Sequence, residues 1–265
     1  MRLRVLCVVA LMMSGCSSGS RQPSTIGTCT EPAAKGSIVV MAASSMVNVL
    51  SDVEKTFLTT HPCVTGITYS YGSSATLATQ IVNGSPADVF VSASEATMNA
   101  VKNADKTVTV NVFAKNVGEI MVSPTSRFAS KITDVTSLSD SVNSGITVGL
   151  CVETAPCGAL ANSIMEKVGT SRNAIADTES PSVEDLVTKI EMGELDAGIV
   201  YHSDCKYAES RNVATCVVIP SAVNSTNGYY VAALTSRSIA QQYVDYINGS
   251  EFKSVLQSKF GFLAP

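Results

Sequence analysis

The chain has 265 residues, 45% of them apolar and 15% charged, enough for one large domain or for two lobes with cores of their own. Its formal charge is −4 and falls by two further units once a leader carrying Arg2 and Arg4 is removed, so no nucleic-acid partner is expected and an anion cannot be drawn in by bulk charge. Trp is absent and only 6% of residues are aromatic, which argues against ligands held by ring stacking, such as sugars and polyamines.

Arg2 and Arg4 precede an apolar stretch, Val5 to Met13, too short to span a membrane as a stable anchor. Residues 1–15 therefore read as an export signal. Met13-Ser14-Gly15-Cys16 resembles a bacterial lipoprotein cleavage box, with small residues before the Cys and Met where Leu is usual. Cys16 would carry the lipid, and 16–36 would tether the protein to the outer face of the cytoplasmic membrane. An ordinary cleaved signal peptide is the alternative. Cys7 leaves with the signal, so six cysteines remain beyond Cys16. An even number in an exported chain suggests disulfides. Spacing favours Cys151–Cys157 and Cys205–Cys216, which leaves Cys29–Cys63. A metal site is the alternative, but no pair has the Cys-x2-Cys spacing, and His61 and His202 lack a matching ligand set.

After the tether, Ile38–Met41 reads as a buried parallel strand, Met46–Thr59 as a helix stopped by His61-Pro62, and Val64–Tyr71 as a second strand. Ala75–Val82 is a short helix, Ala87–Ala93 a third strand and Glu95–Asn103 its helix. The alternation predicts a doubly wound parallel sheet with right-handed crossovers. A second lobe is expected from about 114 to 213, with 37–113 and 214–265 forming the first. Its expected elements are a strand at 117–124, a short helix at 137–142, a strand at 145–151, a loop with Pro156-Cys157-Gly158, and helices at 159–168 and 182–192. A strand then ends at Tyr201. Strands at 215–219 and 229–234, and a largely helical stretch from Ser236 to Phe260, complete the chain.

Two turns share one grammar of strand, small polar residues and helix: Ala43-Ser44-Ser45 and Gly72-Ser73-Ser74. Both place Ser at the preferred cap position of a helix. A helix start offers unpaired N–H groups and the positive end of a dipole. In an open α/β sheet such turns converge at the carboxyl ends of the strands. Two facing one point would make a neutral cradle for an anion. Ser before a helix is most often only a cap, and Tyr201 at a strand end or Val183 alone most often only packing.

The run Ala42-Ala43-Ser44-Ser45 with Asn48, then Gly72-Ser73-Ser74-Ala75-Thr76-Leu77-Ala78, then Gly84-Ser85-Pro86-Ala87-Asp88, resembles the substrate-binding component of bacterial molybdate ABC transporters. Pro156-Cys157-Gly158, the stretch Gly193–Tyr201 and Lys259-Phe260-Gly261-Phe262 fit the same family. The resemblance covers roughly residues 37–265. It implies a type II periplasmic binding protein fold: two doubly wound α/β lobes joined by a hinge, with the ligand in the cleft. It further implies a monomer that is not an enzyme, needs no cofactor, and delivers molybdate or tungstate to an ABC transporter permease. Carried over residue by residue, the oxyanion would meet the hydroxyls of Ser45, Ser74 and Tyr201 and the backbone N–H groups of Cys157 and Val183. Ser44, where Ala is usual, adds a further hydroxyl. Cys157 stands where the family has a small residue, which a main-chain contact tolerates.

Sulfate has the same charge and shape as molybdate and is the alternative ligand. Hydrogen phosphate would need an acceptor for its proton, which Asp88 would provide if it lay nearby. A secreted serine hydrolase is the alternative of another class, with Gly72-Ser73-Ser74 as its elbow and His61 or His202 as base. It lacks the glycine-x-serine-x-glycine pattern. A structural surface antigen would not need the two cradles.

Overall fold

Gly36–Ala43 (β1) lies between Val64–Gly72 (β2) and Val89–Ser92 (β3) and pairs with both in parallel. Ile38, Val40 and Ala42 are fully buried, as a strand covered by helices on both sides requires. This is a computed structural model, and it describes residues 28–30, 35–105, 107–139 and 145–265. The export signal, Cys16 and most of the tether lie outside the described residues. The helices of the first half are Val47–Thr60 (α1), Ser74–Val82 (α2) and Glu95–Ala104 (α3). A 3-10 turn, Ser44–Met46, leads into α1, which buries Val49, Leu50, Val53 and Phe57 along one stripe.

The remaining strands are Asn111–Val122 (β4), Val148–Cys151 (β5), Thr178–Ser180 (β6), Ala197–Tyr201 (β7), Thr215–Val218 (β8) and Thr226–Ala233 (β9). The described strands run in the order β2-β1-β3-β9-β4-β7-β5-β6, with β8 also against β4. The sheet is mixed rather than wholly parallel, because β9 runs antiparallel to both β3 and β4. The returning strand β9 inserts between β3 and β4.

Strand β4 belongs to two sheets. Its residues from Asn111 to Val117 pair with β9, and those from Gly118 to Val122 pair with β7 and β8. The sequence reading began this strand at 117, because Lys115 and Asn116 interrupt its apolar run. Asn116 is nevertheless fully buried, its amide held by Ser203 Oγ at 2.7 Å. Chain crosses between the sheets along β4 and again through 219–225. Each sheet has its own core. One is built around Ile120, Leu150, Leu186 and Ile199, the other around Ile38, Val91, Phe113 and Tyr243. They form two α/β lobes.

Helices of the second lobe are Val135–Leu138 (α4), Pro156–Lys167 (α5), Arg172–Ile175 (α6), Val183–Glu191 (α7) and His202–Ser210 (α8). Two of these boundaries correct the sequence reading. Asp134 and Ser137 form a capping box that starts α4 two residues early. Pro156, whose fixed φ suits a first helical position, starts α5 where a loop was expected, so Cys157 lies inside the first turn. Ser238–Asn248 (α9) and Ser250–Phe260 (α10), separated by Gly249, pack Tyr243, Phe252 and Phe260 onto the first lobe.

Disulfides join Cys29 to Cys63, Cys151 to Cys157 and Cys205 to Cys216, with Cα atoms 4.7, 5.7 and 6.0 Å apart. The second ties the end of β5 to the first turn of α5. The third ties α8 to β8. Their thiolates are consumed, so Cys205 and Cys216 offer no ligands to a metal despite lying beside Glu119.

Candidate functional site

Helix beginnings from both lobes converge on one cavity. Ser44 and Ser45 come from the turn before α1, and Gly72, Ser73 and Ser74 from the start of α2. The second lobe contributes Ala155, Pro156 and Cys157 at the start of α5, Ser182 and Val183 at the start of α7, and Tyr201 where β7 passes into α8. Every site residue expected from sequence, including Ser44, lines this space. The cavity is small, too small for a sugar or a peptide. None of the residues lining it is charged.

The donors are of two kinds. The first N–H groups of a helix have no acceptor within it. In α5 the first intrahelical acceptor is taken by Ala159, and in α7 by Leu186, so the N–H groups of Cys157 and Val183 have no acceptor within their helices, and both residues line the cavity. Gly158 permits this approach. A Cβ there would sit 2.0 Å from the Val152 carbonyl oxygen.

The second kind is hydroxyl, and here the structure corrects the sequence reading. Ser44, Ser45 and Ser74 do not cap their helices: no side-chain cap bond forms at either start. Ser182 does cap, accepting the Asp185 N–H at 3.3 Å. The Ser74 Oγ instead accepts the Ala93 N–H at 3.0 Å. Ser45 Oγ lies 2.8 Å from the Tyr229 hydroxyl. Asn116 accepts the Val117 N–H through Oδ1, so its amide nitrogen is the group that faces Tyr229. Between Ser45 and Tyr229 either hydroxyl can be the donor, and an anion that takes the Ser45 proton leaves Tyr229 to donate. Tyr201 receives the amide of Asn227 at 2.8 Å. Ser74 and Tyr201 thus have their oxygens engaged by N–H donors, which leaves their protons able to turn to the cavity, and Ser45 can do the same when Tyr229 donates to it.

Burial keeps these donors protonated. It raises Tyr201 and Tyr229 well above the ordinary phenol range. Asp204, in the first turn of α8, accepts the Tyr201 N–H at 3.1 Å. Burial, reinforced by Glu184, pushes its carboxyl up to about 7. Below that pH it places no charge behind the cavity.

Other candidates lie elsewhere. Asp88 accepts the Val39 N–H and pairs with Arg237, both at 2.9 Å, and does not line the cavity. It provides no acceptor for the proton of hydrogen phosphate. His61 stacks on Phe57, and His202 pairs with Glu119 at 3.0 Å, so neither stands beside Ser74 as a base. Sequence reasoning missed Ala93, Tyr229 and Asn227. Tyr229 lies 184 residues from Ser45, while Ala93 is 19 from Ser74 and Asn227 26 from Tyr201, and no pattern within a single strand or helix marks them.

Two lobes joined by two crossing segments, with a small neutral donor cavity closed between them, define a protein of the solute-binding class. The family profile described as bacterial extracellular solute-binding protein matches residues 38–263. Molybdate-binding protein ModA of Mycobacterium tuberculosis is 30% identical over 97% of this chain and 96% of its own length. The fold is shared with the periplasmic molybdate-binding protein of Azotobacter vinelandii, TM-score 0.72 at 18% identity over 86% of this chain and 99% of that one. It is shared equally with the sulfate-binding protein SubI of Mycobacterium tuberculosis, TM-score 0.73 at 18% identity over 86% of each. The chain belongs to the bacterial extracellular solute-binding proteins, a non-enzymatic family, and among them to the ModA-type molybdate-binding proteins.

Proposed function

We propose that this protein captures molybdate, and tungstate with it, outside the cytoplasm and delivers it to an ABC transporter permease. One observation supports the reading: the Ser45, Ser74 and Tyr201 side chains line one cavity that has no charged residue in its lining. Such a site offers donors without acceptors, which suits a fully deprotonated dianion. The backbone N–H groups of Cys157 and Val183, and those near Ser45 and Ser74, complete the set. Burying a dianion without a counter-ion is costly unless hydrogen bonds replace its water. Helix dipoles at several N-termini add to that replacement. Cavity size is the proposed basis for preferring molybdate to sulfate.

Titration calorimetry of the purified protein against molybdate, tungstate, sulfate and phosphate tests this. Molybdate and tungstate should bind far more tightly than sulfate, and phosphate should bind least. Tight binding of sulfate with none of molybdate would overturn the substrate assignment. We further propose that Cys16 is lipidated and tethers the protein to the outer face of the cytoplasmic membrane. Mass spectrometry of the native protein should find a diacylated Cys16, and a free N-terminus elsewhere would refute the tether.

A further inference from the structure

Asn227 lies on β9, opposite Asn116 of β4, where the two lobes meet. Its amide nitrogen is surrounded by three oxygens: the Tyr201 hydroxyl at 2.8 Å, the Pro156 carbonyl at 3.1 Å and the Ala93 carbonyl at 3.2 Å. Ala93 belongs to the first lobe, Pro156 and Tyr201 to the second. Carbonyl oxygens only accept, so the two of them fix which end of the amide points here. It must be the NH2 group. Its two protons are shared among three acceptors, so the Tyr201 oxygen is an acceptor in this contact and never the donor.

The consequence concerns a single proton. A phenol has one hydrogen, and Asn227 denies it the direction of β9. It can turn to the Tyr229 hydroxyl, which also faces Tyr201, or into the cavity. The Tyr229 oxygen can accept that proton while the cavity is empty. An anion in the cavity competes for the Tyr201 proton with Tyr229 alone, because Asn227 only donates.

We propose that Asn227 is a positioning residue for oxyanion binding, acting through the Tyr201 hydroxyl by fixing it as a donor toward the cavity. This rests on the molybdate reading above. The Pro156 and Ala93 carbonyls hold the amide so that it cannot turn its oxygen to Tyr201. Those two carbonyls lie in opposite lobes, so the amide keeps both of them only when the lobes are together.

The test is a double-mutant cycle read by calorimetric titration with molybdate, using wild type, Asn227→Ala, Tyr201→Phe and the double variant. Asn227→Ala should weaken binding about 10-fold in the wild-type background and less than about 3-fold in the Tyr201→Phe background. A role confined to packing of β9 would cost the same in both, and additivity overturns the proposal. Asn227→Asp replaces the donor by an acceptor that would take the Tyr201 proton, so it should weaken binding more than Asn227→Ala. Equal or tighter binding by Asn227→Asp also overturns it. If Asn227→Ala does not fold, Asn227→Ser, which keeps a polar group but shortens its reach, enters the same cycle. The wild-type titration alone decides the molybdate reading, and the coupling between the two positions decides the role of Asn227.

Discussion

Ser74→Ala is expected to weaken molybdate binding about 10- to 100-fold, the cost of one hydrogen bond to a charged group at roughly 1.5–3 kcal/mol. Ser74 is 1% exposed and its oxygen is occupied by the Ala93 N–H, so its proton has the cavity as its outlet. Ser45→Ala should cost a similar amount, because Tyr229 can donate to that oxygen once the Ser45 proton goes to the ion. Ser74→Asp should abolish measurable binding. Its carboxylate would accept the Ala93 N–H but present negative charge and no proton to a dianion. Ser74 is buried, so a carboxylate there also costs desolvation that the start of α2 offsets only in part. Thermal melts of the empty variant therefore have to accompany the titration, to separate lost binding from lost folding. Calorimetry beside thermal melts reads both. Wild-type affinity in Ser45→Ala and Ser74→Ala together would show that the site is misassigned.

Gly158→Ala should damage folding and binding together. The added methyl would lie 2.0 Å from the Val152 carbonyl oxygen, 2.7 Å from its carbon and 2.9 Å from the Cys151 oxygen. All three are backbone, so no side chain can swing aside. The start of α5 must move away from β5, against the Cys151–Cys157 bridge that joins them. Arg172 resists as well, bonding the Cys151 carbonyl at 2.7 Å and Asn162 of α5 at 3.0 Å. Overpacking of this kind costs about 3 kcal/mol or more, which lowers the melting temperature by roughly 6–12 °C in a chain of this size. The Cys157 N–H moves with the helix, so molybdate affinity should fall by at least about 10-fold. A variant with wild-type melting and affinity would show that the turn is softer than the packing indicates.

Much of the fold is legible because its first half is built from local units. Strand, small polar turn and amphipathic helix follow one another from Ser37 to Ala104, and each is set by residues close in sequence. Elements whose identity depends on distant partners are not legible. The strand Asn111–Val122 looks like a shorter one because its middle is polar, and only the pairing of Asn116 with Ser203, 87 residues away, lets that Asn be buried. Helix His202–Ser210 offers few apolar residues to read, chiefly Cys205 and Ala208. The cavity residues could be named from the two serine turns and the family resemblance. What the serines do there could not. They look like caps, and the donors that hold their oxygens come from Ala93 and Tyr229, which no cap pattern reveals.

The central claim is the position of the ion, and diffraction at the molybdenum absorption edge from crystals grown with molybdate tests it most directly. One anomalous peak should lie between the starts of α2, α5 and α7, within hydrogen-bond reach of the Ser45, Ser74 and Tyr201 hydroxyls. A peak elsewhere, or an empty cavity at saturating molybdate, would contradict the assignment.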